Sequence, residues 1–336
     1  LNAVLHLIYE YIDYFAQIAV ILFGGYMAVK GTISIGTFFL FYTYMSMMIY
    51  PLLDLPQLFV SGKQAFVNID RLDEMKDYPS YHHEAGDKER VGSLDSLRFE
   101  SVQCQYHDKT EPVLRDCSFS LSKGEKLLIL GATGAGKSSI ANMIVGLIPP
   151  YAGRILVNGK DLNLLDQTSI RDQIGYVPQE PVLFGGTISK NIRFAAVDKS
   201  ADEYQTALKT SQLESEIEAF PQLDETVVGS RGLGVSGGQK QRITIARALI
   251  RRPQLLILDD ITASLDAENE ERLWQDIESK YPGISAIVIS HRLSTIRYVD
   301  SVLFIDSGGI CHKGTHEELV FRNQEYHDFL HEHLKT

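Results

Sequence analysis

The stretch GATGAGKS, residues 131–138, decides how this chain folds. It follows the apolar run KLLIL at residues 126–130 and precedes a helix-like segment that begins SSIANM. A strand, a glycine loop and a helix in this order let backbone N–H groups curl around a phosphate at the helix N-terminus. The pattern predicts that Lys137 neutralises phosphate oxygens and that the hydroxyl of Ser138 reaches a Mg²⁺ ion.

A second apolar run, QLLILDD at residues 254–260, ends in two carboxylates. Such a run is typical of a buried parallel strand that delivers acidic side chains to its C-terminal edge. Asp259 is the candidate Mg²⁺ ligand, and Asp260 is placed to polarise an attacking water. Together with the glycine loop, this strand predicts a P-loop nucleoside triphosphatase.

The run VSGGQKQRITIARAL, residues 235–249, lies just ahead of that acidic strand. Ser236 and the amides of Gly237 and Gly238 open a helix whose positive N-terminus can face a γ-phosphate. This run closely resembles the signature motif of ATP-binding cassette (ABC) proteins. In that family the signature reaches a nucleotide held by a facing domain, so the resemblance implies two domains that sandwich ATP head to tail.

Further residues follow the ABC pattern in order, and the resemblance covers residues 97–330. Tyr106 resembles the aromatic residue that stacks on adenine, and Gln179 resembles the glutamine that links Mg²⁺ to the transmembrane part. Asp266 lies in what looks like the loop that crosses the dimer interface. His291, which follows a predicted strand, resembles the switch histidine at the γ-phosphate.

The resemblance also defines the class of ABC protein and a full set of site residues. The segments LFGGTISKNI at 183–192 and TVVGSRG at 226–232 are typical of exporters. The implied fold is an α/β P-loop NTPase, in which the ABC ATPase domain carries an α-helical subdomain and an antiparallel β subdomain. The predicted site residues are catalytic Asp260, His291 and Gln179; nucleotide-binding Tyr106, Gly131, Thr133, Gly134, Ala135, Gly136, Lys137, Ser138, Ser139, Ser236, Gly237, Gly238, Gln239 and Asp266; and metal-binding Ser138, Gln179 and Asp259.

One residue departs from the family pattern, because most members place Glu after the metal-binding Asp and this chain has Asp260. The missing methylene withdraws the carboxylate by about 1.5 Å. A general base must lie within hydrogen-bond reach of its water, so we predict weak hydrolysis with ATP binding retained. The substitution resembles the slow site of heterodimeric exporters. A heterodimer is the favoured hypothesis, and a slowly hydrolysing homodimer stays open.

The first 60 residues differ sharply in composition from the rest of the chain. Their charged side chains are Glu10, Asp13, Lys30 and Asp54. Two uncharged runs, 14–29 and 31–53, meet at Lys30, and about 20 apolar residues suffice to span a bilayer. They predict an all-α transmembrane helical hairpin, equivalent to the last two of six exporter helices. Two buried core helices of a soluble protein are the alternative.

These patterns predict three segments. Residues 1–76 form the C-terminal part of a transmembrane domain with a cytosolic extension, 77–96 a linker, and 97–336 the ABC nucleotide-binding domain. The chain begins with Leu1 inside an apolar segment and lacks the basic start of a signal peptide. We therefore expect a piece of a longer subunit that has four more helices.

Composition narrows the range of partners. The net charge of −11, from 43 acidic and 32 basic residues, argues against nucleic acid as a partner. The three cysteines, Cys104, Cys117 and Cys311, are widely scattered, so neither a disulfide nor a zinc site is predicted.

The predicted function is ATP-driven export of a substrate across a membrane, with ATP and Mg²⁺ as cofactors. The partners implied are a second ABC half-transporter, membrane lipid and an unidentified transported substrate. The subunit is expected in the inner or plasma membrane, with its ATPase domain in the cytoplasm. Two alternatives stay open: a nucleotide-gated regulator or channel, and a soluble ABC ATPase of DNA repair or translation.

Overall fold

The computed structural model describes residues 2–333 except 78–87, 107–110, 195, 197, 230, 231, 233 and 262–266. The chain divides into two compact units, Leu1–Ser80 and Tyr81–Thr336. The finer segment boundaries at residues 76 and 97 stay a prediction.

The first unit is a pair of helices, α1 at Asn2–Val29 and α2 at Ile35–Asp77. The two helices approach closely where Gly24 faces Phe38. A Cβ added to the glycine would lie only 2.7 Å from the phenyl ring. Small residues permit such close approach between apolar helices. The predicted all-α hairpin is therefore present.

The predicted insertion of this hairpin into a membrane is not confirmed. Among the residues that the structure describes, none of the helices combines the length and the sustained apolar character of a membrane span.

The second unit alternates strands and helices. In chain order its strands are β1 Ser96–Cys104, β2 Leu114–Ser122, β3 Lys126–Gly131, β4 Ala152–Val157, β5 Lys160–Asp161, β6 Ile174–Val177, β7 Gly186–Thr187, β8 Val227–Val228, β9 Leu255–Asp259, β10 Ser285–Ile289, β11 Ser301–Ile305 and β12 Cys311–Gly314. Its α-helices are α3 Lys137–Ile144, α4 Gln167–Asp172, α5 Ile188–Arg193, α6 Ala201–Thr210, α7 Glu214–Glu218, α8 Gly237–Leu249, α9 Ala267–Lys280, α10 His316–Arg322 and α11 Gln324–His333. Short 3₁₀ helices occur at Leu162–Leu164, Leu223–Glu225 and Leu293–Tyr298.

A six-stranded sheet in the order β12-β11-β3-β10-β9-β6 forms the core of this unit. All its neighbouring strands pair in parallel except β12, which runs antiparallel to β11. Every residue of β9 and β10 is buried, as expected for parallel strands covered on both faces. The C-terminal ends of β9 and β10 therefore meet at one edge beside the loop that follows β3.

A four-stranded antiparallel sheet in the order β2-β1-β4-β5 packs beside the core sheet. Its strands alternate buried and exposed residues, and the rings of Phe99 and Phe119 stack at 4.5 Å in its interior. Helices α6, α7 and α8 follow β7 in the chain, and their residues Leu208, Ile217 and Ile243 share one buried cluster with the core sheet. The predicted α/β P-loop fold, with a parallel core sheet, an antiparallel sheet and helices, is confirmed. The division of its helices into a separate subdomain stays a prediction.

One expectation about the cysteines is wrong, because the structure joins Cys117 on β2 to Cys311 on β12 in a disulfide. The two sheets meet at this edge, where Arg115 N–H donates to the carbonyl of Gly309 at 3.0 Å. The cysteines are 194 residues apart in the chain, so their spacing could not reveal their proximity. Cys104 is a buried free thiol.

Candidate functional site

The loop between β3 and α3 requires glycine at several positions. Gly131, Gly134 and Gly136 have φ values of 152°, 83° and 98°, in the left-handed region that glycine adopts without strain. A Cβ on Gly136 would also lie 2.9 Å from Val113 Cγ1, so the loop has no room for a side chain there. Gly136 caps α3 without a side-chain hydrogen bond from the described residues, so no capping side chain competes with an anion for the start of the helix.

Lys137, the first residue of α3, is folded back onto this loop. Its Nζ donates to the carbonyl oxygens of Gly131 at 2.8 Å and Ala132 at 2.9 Å, and the residue is 7% exposed. Burial lowers the pKa of Lys137, while the charges of Asp260 and Asp259 oppose that shift. The ammonium group is therefore held over the loop, between the helix N-terminus and two carboxylates.

Ser138 and Asp259 form a direct pair at the edge of the sheet. Ser138 Oγ donates to Asp259 Oδ1 at 3.2 Å, and Asp259 is 3% exposed at the end of β9. Burial raises the pKa of Asp259, and the hydrogen bond from Ser138 lowers it in part. A hydroxyl and one buried carboxylate suit Mg²⁺, which keeps several waters and takes few protein ligands. The predicted metal ligands Ser138, on α3, and Asp259, on β9, thus lie next to each other.

Asp260 is paired with Gln179, which follows β6. Gln179 Nε2 donates to Asp260 Oδ2 at 3.3 Å, and Asp260 N–H donates to the carbonyl of Ile289 at 2.8 Å. The backbone of Asp260 has φ +50°, a left-handed conformation that Asp adopts more readily than most residues. The turn aims the carboxylate away from the buried strand and toward the loop.

These groups line one cavity of about 290 Å³. The predicted residues on its wall are Tyr106, Thr133, Gly134, Gly136, Lys137, Ser138, Ser139, Gln179, Asp259, Asp260 and His291. At one side of it, the hydroxyl groups of Tyr106 and Ser139 lie 2.9 Å apart in a hydrogen bond. A larger cavity of about 480 Å³ is lined by polar and charged residues between α6 and α9, and none of the predicted site residues lies on its wall.

The signature residues do not join this cavity within the described chain. Ser236 and Gln239 instead cap α8 reciprocally: Ser236 Oγ accepts from Gln239 N–H at 3.2 Å, and Gln239 Oε1 accepts from Ser236 N–H at 2.9 Å. A Cβ on Gly237 would meet no atom of the described residues within 4 Å. Within the part of the chain that the structure describes, the start of α8 at Gly237 is therefore open. The predicted interface residue Asp266 lies outside the described residues.

Arg247 on α8 is a functional candidate that the sequence did not single out. Its guanidinium donates to the backbone carbonyl of Asn191 at 2.8 Å, to Asn191 Oδ1 at 2.8 Å and to the carbonyl of Val182 at 2.9 Å. It also lies over the ring of Phe184, 5.4 Å from the centroid, and burial lowers its pKa. Arg247 thus ties the signature helix to the segment that follows Gln179. A lone Arg in the apolar run ITIARAL was the available signal.

Comparisons with known proteins agree with this geometry. Residues 114–263 match the family model described as ABC transporter. A probable multidrug resistance ABC transporter ATP-binding/permease protein of Bacillus subtilis, YheI, is 33% identical over 309 residues, which are 91% of this chain and 52% of that protein. The mitochondrial potassium channel ATP-binding subunit of Rattus norvegicus is 40% identical over 237 residues, which are 70% of this chain and 33% of that protein.

A solved structure of a bacterial Atm1-family ABC exporter with ATP bound is also similar. It has a TM-score of 0.73 and 31% identity over 99% of this chain and 58% of that chain. The chain spans about half the length of the Bacillus relative and of this exporter.

Proposed function

This chain belongs to the ABC transporter family, and we propose that it is the C-terminal part of an ATP-driven exporter subunit. It binds Mg-ATP at the cavity above the glycine loop and hydrolyses it when a second ABC half closes on that cavity. The observation that carries the proposal is the meeting in one cavity of Lys137, the Ser138–Asp259 pair, the Gln179–Asp260 pair and His291.

Lys137, the Ser138–Asp259 pair and Asp260 each have a role in hydrolysis. Lys137 turns its ammonium group from two loop carbonyls to the phosphate oxygens, which are stronger acceptors for a cation. Ser138 and Asp259 would hold the Mg²⁺ ion, which when bound neutralises charge on the β- and γ-phosphates. Asp260 orients a water whose oxygen bonds to the γ-phosphorus as the bond from that phosphorus to the bridging oxygen breaks. ADP and inorganic phosphate are the products.

The open end of α8 supports a two-domain site. A helix N-terminus with free N–H groups carries partial positive charge and binds anions. Because a Cβ on Gly237 would contact no atom of the described residues, a second ABC half can present its γ-phosphate there. Closure around ATP then supplies contacts that the open state lacks, which is how the nucleotide shifts the conformational equilibrium.

The helical hairpin α1–α2 is proposed as the membrane part of this exporter subunit. Its uncharged runs, 14–29 and 31–53, together with the exporter relatives, support a location in the inner or plasma membrane with the ATPase domain in the cytoplasm. Large apolar side chains stand exposed along both helices, among them Phe23 and Phe39. Lipid and further transmembrane helices would cover such surfaces.

Asp260 makes a heterodimer the favoured assembly within this proposal. Its carboxylate is shorter than that of Glu and is engaged with Gln179, so its own site hydrolyses slowly. The VSGGQ helix of this chain, at 235–239, follows the family pattern and would serve a competent site on the partner half.

A decisive experiment purifies the full-length subunit, reconstitutes it in vesicles and follows a lipophilic fluorescent dye with ATP outside. Export predicts ATP-dependent accumulation of dye in inside-out vesicles, lost in Lys137→Ala. A matched control is Lys123→Ala, an exposed lysine of the same domain paired with Asp95. Neither dye accumulation nor ATP turnover, even with a co-expressed second half, would contradict the proposal.

A nucleotide-gated channel role is the second candidate, because one relative is named a potassium channel ATP-binding subunit. Its similarity covers 237 residues of this chain, the length of an ATPase domain without a membrane part. Potassium flux down its gradient that needs ATP binding but not hydrolysis would favour this candidate over export.

A further inference from the structure

The C-terminal helix α11 has two distinct faces. Tyr326 and Phe329 are buried against Phe304 of β11, with ring centroids 5.2 and 5.6 Å away. His327 and His331 lie one helical turn apart on another face, where His331 is exposed and His327 is partly exposed. Residues at i and i+4 of a helix are neighbours, so the two imidazole rings meet there.

The distance between the two imidazole rings suits a metal ion. Nε2 of His327 and Nε2 of His331 are 3.2 Å apart. With zinc–nitrogen bonds of about 2.0 to 2.1 Å and tetrahedral angles, two histidine ligands are separated by about 3.3 to 3.4 Å. A metal ion can therefore bind both nitrogens after only a small adjustment of the rings.

A neighbouring carboxylate prepares one ring for this role. Nδ1 of His327 lies 3.5 Å from Oδ1 of Asp328, and Gln324 Nε2 donates to the same oxygen at 2.9 Å. Metal-binding histidines commonly donate their second ring N–H to a carboxylate, which fixes the tautomer and leaves the other nitrogen free to bind. Asp328 is thus placed to keep the proton on Nδ1 and the lone pair on Nε2.

We propose that His327 and His331 chelate a divalent transition-metal ion on α11. Imidazole nitrogen selects ions such as Zn²⁺, Cu²⁺ and Ni²⁺ over Mg²⁺ and Ca²⁺. Among the described residues no cluster of three or more His, Cys, Asp or Glu side chains is placed to hold a metal, so water fills the remaining coordination positions. His331 lies in the last turn of α11, where the negative end of the helix dipole favours a cation.

This site is separate from the nucleotide cavity, and none of its residues lines that cavity. A bound ion links two successive turns of α11 and so resists fraying of the helix that covers Phe304. The competing explanation of the 3.2 Å distance is a direct N–H···N hydrogen bond between the rings. The two explanations differ in whether the pair takes up metal.

The test is calorimetric titration of ZnCl₂ into the purified full chain, without nucleotide, in detergent. The wild type is expected to bind one Zn²⁺ equivalent more than His327→Ala or His331→Gln. Asp328→Asn is expected to keep that equivalent with about tenfold lower affinity, the low end of the effect of removing a carboxylate behind a ligating histidine. Glu332→Gln, an exposed neighbour on the same turn, is the matched control and binds as the wild type does.

Equal Zn²⁺ stoichiometry and affinity in the wild type and both histidine variants would overturn the proposal and leave the pair as a hydrogen bond only. Circular dichroism of each variant verifies that α11 and the rest of the chain remain folded. Zn²⁺ should also raise the melting temperature of the wild type, and this rise should be absent in His331→Gln.

Discussion

Two properties of Asp260 affect ATP hydrolysis: its backbone conformation and the length of its side chain. Its left-handed backbone, with φ +50°, carries the carboxylate out of the buried strand, and its short side chain ends at Gln179. A Glu at this position would extend the carboxylate by about 1.5 Å toward the loop. The left-handed backbone costs most residues about 1 to 2 kcal/mol, and Asp is among those that tolerate it best.

Asp260→Glu is therefore expected to raise kcat for ATP by about 10- to 100-fold, because the base then reaches its water. ATP affinity should stay unchanged, since Lys137 and the glycine loop are untouched. Steady-state ATPase assays of the reconstituted subunit measure the change. Asp260→Asn serves as the control that keeps the length and removes the base. An unchanged kcat in the Glu variant would mean that the carboxylate position does not limit hydrolysis.

Glu125 is a second residue whose environment has a measurable consequence. Burial acts to raise its pKa, but hydrogen bonds from Lys313, the Ser122 N–H and Ser301 outweigh burial and lower it below the ordinary value of 4.5. The Ser301 hydroxyl lies 2.8 Å and the Ser122 nitrogen 2.9 Å from its carboxylate. Because the folded pKa is the lower one, Glu125 stabilises the fold above pH 4.5 and loses this effect as pH falls through the folded pKa.

Glu125→Gln should accordingly lower the free energy of unfolding by about 1.5 to 3 kcal/mol at pH 7, the worth of a hydrogen bond to a charged group. The difference from the wild type should shrink as the pH drops below 4.5 and through the lowered pKa of the folded state. Urea denaturation at a series of pH values gives both numbers. Glu111→Gln, at an exposed ion pair with Arg115, is the control, with an expected change within about 0.5 kcal/mol. A constant difference at all pH values would contradict the assigned cause.

At the scale of elements, helix α8 depends on Arg247. Its guanidinium donates to the carbonyl oxygens of Val182 and Asn191. One side chain therefore attaches α8, the helix that begins with the signature, to the segment that follows Gln179. Lys cannot reproduce this contact, because it lacks the planar set of donors that reaches three acceptors at once.

Arg247→Lys is expected to cost about 1.5 to 3 kcal/mol of stability, since buried carbonyls lose charged donors. It should also reduce ATPase activity more than ATP affinity, because the glycine loop stays intact. Thermal unfolding and nucleotide binding are the measurements. Arg251→Lys is the matched control, because Arg251 lies nearby on the surface and pairs with Asp172, where exposed ion pairs contribute below about 1 kcal/mol. Equal melting temperatures for the two variants would refute this role.

Sequence alone predicted the elements whose function depends on local order. The β3–loop–α3 unit was predicted from an apolar run followed directly by the glycines of the loop. The acidic end of β9 was predicted from an apolar run followed directly by two carboxylates. The Ser138–Asp259 contact follows once both strands belong to one parallel sheet. These predictions needed no long-range information beyond the rule that parallel strands end at a common edge.

Other features were out of reach because they depend on packing between distant segments. The Cys117–Cys311 disulfide and the contacts of Arg247 join segments that no spacing rule connects. The reciprocal cap of Ser236 and Gln239 was hidden for another reason. The spacing Ser-x-x-Gln is itself a capping-box pattern, but the same residues match the family signature and were assigned to the nucleotide from that resemblance.

At the scale of the whole molecule, the proposed site is shared between two subunits, and this arrangement can be tested with two inactive variants. Lys137→Ala removes the charge that binds phosphate in its own glycine loop. Gly237→Asp places a carboxylate at the start of α8, where a Cβ would contact no atom of the described residues and where the helix dipole favours an acidic side chain. The Asp variant should therefore fold normally, while its charge repels the phosphate of the facing subunit.

A dimer of either variant alone has no complete site. Both of its sites lack the lysine in Lys137→Ala, and both have a negatively charged signature in Gly237→Asp. When both are co-expressed in the Asp260→Glu background, a mixed dimer pairs the intact loop of one chain with the intact signature of the other. Random pairing of the two chains in a two-fold dimer then restores roughly a quarter of the sites, measured as ATPase activity per subunit. If each chain built its site alone, the mixture would stay inactive. If the chain works only with a different half, Asp260→Glu alone would stay inactive too, and co-expression of that half would restore turnover.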